Sequence, residues 1–410
     1  MLRVLHTSDW HLGRQLYGQN RHDEFEAFLN WLQHTMHTHK TDVLLIAGDV
    51  FDTTTPNHAA QTLYYRFLSH ISSHKLCQHV IIIGGNHDSA SFLNAPQSLL
   101  SALNVHVIGG ATENLQEQII TITDDKQQTQ AIICAAPYLR DRDVRLSLEG
   151  QSQSDKQQAL MMGIKKHYQT LYQLADQMRQ DLPNSNIPII AMGHLFTQGG
   201  VTLASDGVRE LYVGTLAHVG SDVFDGYDYV ALGHLHVPQT VNGLAHIRYC
   251  GSPIAMGFSE AHQQKLVVNI EFTGRLMAID CINVPVFHAL ERLQGNLSQL
   301  KQQLHDLMAW NKAVYVEVTY QGDELVSDLN QQLQDMVKDS LVSILRVYNR
   351  VLVNQMLPHD TQTHALPDLT VEEVFEACLQ QHGFAPDEQA NLRQSHQQVL
   401  EQLQQQGIDV

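Results

Sequence analysis

Five short apolar runs in this chain each end in aspartate, asparagine or histidine, and no other feature limits its fold so tightly. The runs are LRVLHTS (2–8) before Asp9 and His11, and DVLLIAG (42–48) before Asp49 and Asp52. HVIIIGG (79–85) precedes Asn86, His87 and Asp88, IPIIAMG (187–193) precedes His194, and YDYVALG (227–233) precedes His234 and His236. Runs this short and this rich in valine, isoleucine and leucine read as buried strands. Between the first three lie helical periods: Phe25, Phe28, Leu29, Leu32 and Met36 share one face of a helix over 22–39, and a second helix covers 57–75. The order β-α-β-α-β predicts a sheet that is parallel in this half and covered by helices. Open α/β sheets build their sites at the carboxyl ends of strands.

Each of these polar groups has an ordinary explanation when taken alone. An Asp-x-His can be an Asx turn, a Gly-Asp can cap a helix, and a lone histidine can sit half exposed. Two histidines at i and i+2 on an extended segment point the same way, which is more suggestive. Jointly, ordinary turns give no reason for such residues to recur at all five strand ends. Carboxylate, imidazole and amide oxygen without thiolate make a donor set for manganese, iron or zinc, not for a closed cysteine site. Asp9, His11, Asp49, Asn86, His194, His234 and His236 are too many for one small ion but suit two that share a ligand. Paired ions are the arrangement for in-line attack on phosphorus. Asp49, after the middle strand, is the natural shared ligand.

Composition bounds the rest. The chain has 410 residues, 43% of them hydrophobic and 17% charged, which predicts a substantial core and two or three domains. Cysteines 77, 134, 250, 281 and 378 are scattered with no CxxC pair, which predicts a reducing compartment rather than a disulfide framework. The opening MLRVLHTSDW turns polar too soon for a signal peptide, and no apolar run reaches a membrane span, so a soluble cytoplasmic protein is expected. The net charge of −18 argues against a nucleic-acid binder acting through its own basic surface, unless bound cations or a partner supply the positive field. With 25 histidines in the chain, only those at special positions count as signals.

Further strands are expected at 105–108, 118–123 and 131–135 without helices between them, then a long helix over about 155–181. HIRYCG and KLVVNIEF complete a β-rich half that ends near residue 280. A small α/β region over 283–356 reads as strand CINVPV, a helix near 296–309, strand AVYVEVTY, a helix over 324–338 and strand VSILRVYN. From Leu366, LPDLTVEEVF opens a helix in which Thr370 and Glu373 have capping-box spacing, and Leu392, Val399, Leu400 and Leu403 mark a second. Helices so short and rich in glutamine must dock on this chain or on a partner.

The ordered set DxH, GDxxD, GNHD, GH and GHxH resembles the calcineurin-like metallophosphoesterases. LHTSDWHLGRQL, LIAGDVFDT, RYCGSPI and LTVEEVFE extend the resemblance over nearly the whole chain to the SbcD family of bacterial nuclease subunits. The resemblance implies an α/β fold, a metallophosphoesterase β-sandwich flanked by helices. It places a two-metal nuclease domain over 1–282, an α/β capping domain over 283–356, and C-terminal helices over 366–410 that dock on an SbcC-type ABC ATPase. By the same resemblance, Asp9, His11 and His236 hold one ion, Asn86, His194 and His234 the other, and Asp49 bridges them. His87 faces the scissile phosphate without binding metal, Asp88 holds the His87 ring by a hydrogen bond, and Asp52 has an orienting or structural role at most. Two Mn²⁺ ions would activate a water for phosphodiester hydrolysis. The implied activity is 3′→5′ exonuclease action on double-stranded DNA ends, with endonuclease action on single strands and hairpins, in replication, recombination and repair. The implied assembly contains a self-dimer of the nuclease domain, for which the helix at 57–75 is a candidate surface. A small-molecule phosphodiesterase or phosphomonoesterase on the same scaffold, and a non-catalytic scaffold of a DNA-repair complex, are the competing readings.

Overall fold

The computed structural model describes residues 1–144, 152–197, 219–322, 326 and 328–349, with Phe375 and Arg393. The chain divides into two compact units, Met1–Leu16 with Asn20–Phe287, and Tyr17–Gln19 with His288–Val410. Apart from Phe375 and Arg393, the C-terminal helices expected over 366–410 fall outside the described residues.

The first unit is a sandwich of two six-stranded sheets. One sheet contains β1 (Leu2–Thr7), β2 (Val43–Ala47), β3 (His79–Ile83) and β4 (Val105–Ile108), all parallel and adjacent in that order. Helix α1 (His22–His39) follows β1 and helix α2 (His58–His74) follows β2. The second sheet contains β5 (Ile119–Thr123), β6 (Thr129–Ala135), β7 (Ile189–His194), β8 (Tyr229–Gly233), β9 (Gln239–Val241) and β10 (Leu244–Tyr249). Strands β6, β7, β8 and β10 run parallel, and β5 and β9 close the edges antiparallel. The chain then returns to the first sheet as an antiparallel hairpin, β11 (Leu266–Thr273) and β12 (Leu276–Asn283), with β11 beside β1. Helix α3 (Gln153–Gln180) precedes β7 and opens on a capping box between Ser152 and Asp155.

Strand alternation assigns each apolar residue to a layer. Leu44 and Ile46 pack with Phe25, Phe28, Leu63 and Phe67 of α1 and α2. Their neighbours Val43, Leu45 and Ala47 face the other way, toward Ile133, Ile190, Met192 and Ala231 of the second sheet. On the outer face of that sheet, Ile189, Ala191, Val230 and Leu232 pack with Tyr168, Leu171 and Ala175 of α3. Helices therefore cover one face of the parallel sheet, as the β-α-β order predicts, and the second sheet covers the other. Both sheets need near-continuous apolar strands, because both faces of each are buried. Two short helices, Ala90–Asn94 and Gln97–Ser101, lie between β3 and β4 and were not expected. Each spans only five residues, too few to show a helical period.

The second unit is a parallel three-stranded sheet of β13 (Ala289–Gly295), β14 (Val314–Tyr320) and β15 (Val342–Asn349). Helices α4 (Leu297–Met308) and α5 (Leu329–Val337) make the crossovers and bury Leu300, Leu304 and Leu333 against the sheet. The strand expected from CINVPV is corrected: Cys281–Asn283 end β12 of the first unit, where Asn283 pairs with Leu266. The first strand of the second unit is ALERLQG instead. Glu291 and Arg292 interrupt its apolar residues and hide it from a periodicity search, and Arg292 pairs with Glu317 on β14 at 3.1 Å.

Candidate active site

Strands β1, β2 and β3 of one sheet and β7 and β8 of the other end in the same region of space. Four of the residues just past these ends hold left-handed or strained backbone: Asp9 at φ 52°, His11 at 47°, Asp49 at 49° and His234 at 104°. Non-glycine residues adopt such angles at a cost, and they persist where surrounding contacts impose them. Those contacts are explicit. The N–H groups of Asp9 and His11 donate to the carbonyls of Gly48 and Asp49, both at 3.0 Å, and the His234 N–H donates to Asp9 Oδ1 at 2.9 Å.

Glycines make the convergence possible through space as much as through backbone freedom. A Cβ on Gly85 would lie 2.1 Å from Asp49 Oδ1, and one on Gly233 would lie 1.9 Å from the carbonyl oxygen of Ala47. The second contact sets how closely β8 approaches β2.

The structure gathers all seven expected ligand residues. Ligand atoms of Asp9, His11 and His236 lie within 4.8 Å of one another, as do those of Asp49, His194 and His234. Asn86 Oδ1 sits 3.0 Å from His194 Nε2 and 2.9 Å from His234 Nδ1. Asp49 Oδ2 is 3.6 Å from His11 Nε2 and 3.2 Å from His194 Nε2, so one carboxylate reaches both groups. Nitrogens also face nitrogens: His11 and His236 approach at 3.2 Å through Nε2, and His194 Nε2 and His234 Nδ1 at 3.3 Å. Every carboxylate and imidazole of these two groups is buried.

The electrostatics fit a cation. Burial lowers His11 to about 4 and pushes His234 well below the ordinary imidazole value, His194 adding to the second shift. Burial raises Asp9. Burial opposes ionisation of Asp49, but His194, His11 and His87 override it and hold the carboxyl well below the usual range. Burial likewise opposes a charge on His194, yet Asp49 and Asp9 raise it to about 9. The buried carboxylates of Asp49 and Asp9 thus favour positive charge at this place. A donor set of buried carboxylates, imidazoles and an amide oxygen suits a divalent ion.

His87 stands beside this cluster, its ring 4.9 Å from that of His11. Its N–H donates to Asp49 Oδ1 at 2.9 Å, and its ring Nδ1 donates to the Asp52 carbonyl at 2.9 Å. A carbonyl only accepts, so Nδ1 carries the proton and Nε2 is the atom left for other work. The expected bond between Asp88 and the His87 ring is therefore corrected. Asp88 Oδ2 accepts from the N–H groups of Gly85 (2.9 Å) and Val50 (3.1 Å), and Oδ1 from Phe51 (3.0 Å). Its oxygens tie the third strand end to the second, while the ring bonds the Asp52 carbonyl instead. Burial, then the charge on Asp49, raises the Asp88 carboxyl to about 6. Asp52 makes orienting contacts: its side chain lies 3.4 Å from His11 Nδ1 and accepts from Arg14 at 3.2 Å, and its carbonyl holds His87.

Sequence reasoning missed the residues behind the cluster. His194 Nδ1 donates to the Ala47 carbonyl at 3.0 Å, and His236 Nδ1 lies 3.3 Å from Glu260 Oε1. A backbone carbonyl leaves no sequence signal. Glu260 sits 24 residues after the histidine it touches, at the end of a 3₁₀ turn (Phe258–Glu260) that follows RYCGSPI, and no local pattern links them.

Comparison with known proteins agrees with this geometry. The family model for calcineurin-like phosphoesterases matches residues 2–238, and the model for the type 5 capsule protein repressor C-terminal domain matches 286–383. The chain is similar to the SbcD subunit of the nuclease SbcCD from Escherichia coli (strain K12), 36% identical over 395 residues and covering 96% of each chain. It is similar to the protein of the same name from Rhodobacter capsulatus, 34% identical over 283 residues and 67% of each chain. A Bacillus subtilis relative, again an SbcD subunit of the nuclease SbcCD, is 30% identical over 273 residues and 66% of each chain.

Proposed function

Because this chain belongs to the calcineurin-like phosphoesterases, and among them to the SbcD nucleases, we propose that it is a metal-dependent phosphodiester hydrolase, the nuclease subunit of an SbcCD-type complex. The observation that carries the reading is the paired ligand groups with Asp49 reaching both. In this reading Asp9, His11 and His236 hold one divalent ion, Asn86, His194 and His234 hold the other, and Asp49 bridges them. Mn²⁺ is the proposed metal on the strength of the family resemblance, and a set of oxygen and nitrogen donors without thiolate is compatible with it. When bound, the ions supply the Lewis acidity that makes water nucleophilic near neutral pH and neutralises charge on phosphate.

The chain's own residues do the rest. The Asp52 carbonyl fixes His87 with Nε2 outward; with a second proton, Nε2 donates to a phosphate oxygen or the leaving oxygen. Asp88 holds the loops after β2 and β3 in register, so the ligands and His87 keep their spacing.

Double-stranded DNA ends cut 3′→5′, with single strands and hairpins cut internally, are the proposed substrates. An SbcC-type ATPase is the proposed partner and would supply basic surface that a chain of net charge −18 lacks. A self-dimer through the nuclease domain, with α2 as its candidate surface, and a cytoplasmic site of action in replication, recombination and repair belong to the same reading. No helix of the described residues is long and apolar enough to cross a membrane. The test combines metal content with cleavage of linear duplex DNA and of a small phosphate ester, with and without Mn²⁺. Two ions per chain and Mn²⁺-dependent DNA cleavage are expected. Hydrolysis of the small ester alone would point to a small-molecule phosphoesterase, and absence of both metal and cleavage to a scaffold.

A further inference from the structure

Behind His236 lies a buried charged network that has no part in the chemistry proposed so far. Glu260 Oε1 faces His236 Nδ1 at 3.3 Å, while Oε2 accepts from the Met256 N–H at 3.0 Å, from Ser252 Oγ at 3.4 Å and from Lys265 Nζ. Lys265 Nζ also donates to the main-chain carbonyl of His236 at 3.1 Å and to Ser252 Oγ at 3.0 Å. Glu260 and Ser252 are 0% exposed, His236 1% and Lys265 6%. Taking a carboxylate and an ammonium this far from water is expensive, and apolar residues of similar volume would fill the space at lower cost. The pair touches one ligand residue twice, at its ring and at its backbone. Among the described residues His194 has no such support: its outer nitrogen meets the neutral Ala47 carbonyl.

We infer that Glu260 and Lys265 are positioning residues for the ion held by Asp9, His11 and His236, an inference that rests on the two-ion reading. Glu260 keeps the proton on Nδ1 of His236, so that Nε2 presents its lone pair toward His11. Lys265 ties the same carboxylate to the His236 backbone, so ring and chain are held as one unit. A carboxylate behind a ligating imidazole also raises its basicity, and losing such a partner weakens metal binding roughly 10–100-fold. The consequence is an asymmetry. Perturbing this network should weaken the ion at Asp9, His11 and His236 and spare the one at Asn86, His194 and His234.

The experiment titrates the metal-free full chain with Mn²⁺ alone by calorimetry, with thermal unfolding of each metal-free variant alongside. Wild type should bind two ions. Glu260→Gln should bind one with wild-type affinity and the other about 10–100-fold more weakly. The double variant Glu260→Met/Lys265→Met leaves no lone buried charge, so it keeps the fold and should show the same selective loss. Imidazole ¹⁵N spectra of metal-free protein should show His236 protonated at Nδ1 in wild type and a tautomer mixture in Glu260→Gln. Two wild-type affinities in both variants would overturn the inference, and so would parallel weakening of both sites with a fall in melting temperature. If wild type itself binds no Mn²⁺, the two-ion reading fails first, and that outcome is distinct from either.

Discussion

Gly85→Ala adds one methyl group at the point where the third strand end passes the second. The new Cβ would stand 2.1 Å from Asp49 Oδ1, 2.4 Å from the Asp49 nitrogen and 2.7 Å from its Cγ. Ordinary contact begins near 3.4 Å, so the carboxylate must retreat by about 1.3 Å or the strand end must move. The Asp49 backbone is already held at φ 49° and cannot yield cheaply. Overpacking of this kind costs about 1–3 kcal/mol of stability. The functional cost is larger. Asp49 Oδ1 also accepts the His87 N–H at 2.9 Å, so moving the carboxylate disturbs the shared ligand and the proposed phosphate-facing histidine together. A displacement of about 1 Å can cost on the order of 10²-fold in rate. The expected phenotype is a folded protein, melting a few degrees lower, with roughly 10²-fold less Mn²⁺-dependent DNA cleavage. Melting curves, metal content and initial cleavage rates measure it. Wild-type activity with two bound ions would refute the idea that Gly85 is required for space, and with it the placement of Asp49 between the two groups.

Other perturbations separate the roles assigned to neighbouring residues. His87→Ala should keep both ions while the cleavage rate falls roughly 10²–10⁴-fold; loss of metal in that variant would make His87 a ligand. Asp49→Ala should lose both ions or their spacing, and normal metal content with normal activity would refute the bridge. Asp88→Ala leaves three buried N–H donors without an acceptor. At about 1–3 kcal/mol each, partly offset by release of a buried charge, it should destabilise metal-free protein by about 2–4 kcal/mol in urea titrations. Unchanged stability would refute the idea that Asp88 ties the two strand ends together. Burial opposes ionisation of Glu260, but its bonds to His236 and Lys265 win and hold it at about 2, against 4.5 for the free group. A depressed carboxyl contributes stability above its unfolded value and loses it as pH falls through the folded one. Metal-free wild type should therefore lose up to about 3 kcal/mol between roughly pH 4.5 and 2 that Glu260→Gln does not lose. Parallel pH profiles for the two proteins would remove Glu260 from the stabilising network.

Much of this site was legible in the chain because strand geometry converts sequence order into position. The short apolar runs read as buried strands, parallel pairing aligns the carboxyl ends within each sheet, and the packing of the two sheets brings both sets of ends together. The polar residues that follow Thr7, Ala47, Ile83, Gly193 and Gly233 were thereby committed to one region by the order of the chain. Residue chemistry then made them candidate metal ligands without reference to distance. What tertiary structure decided is who holds whom. Asp88 follows His87 in sequence, yet its oxygens turn to Gly85, Val50 and Phe51, while the histidine ring turns to a carbonyl 35 residues away. Glu260 reaches His236 from a single 3₁₀ turn and Lys265 from the residue just before β11, and neither carries a local sign of the contact. The boundary between the units depended likewise on pairing: Cys281–Asn283 belong with β11 because a hairpin partner was available there. Periodicity and residue type act within a few positions along the chain, and they determined the strands and the candidate ligands. Hydrogen bonds across tens or hundreds of residues exist only once the sheets have packed, and they determined the supports.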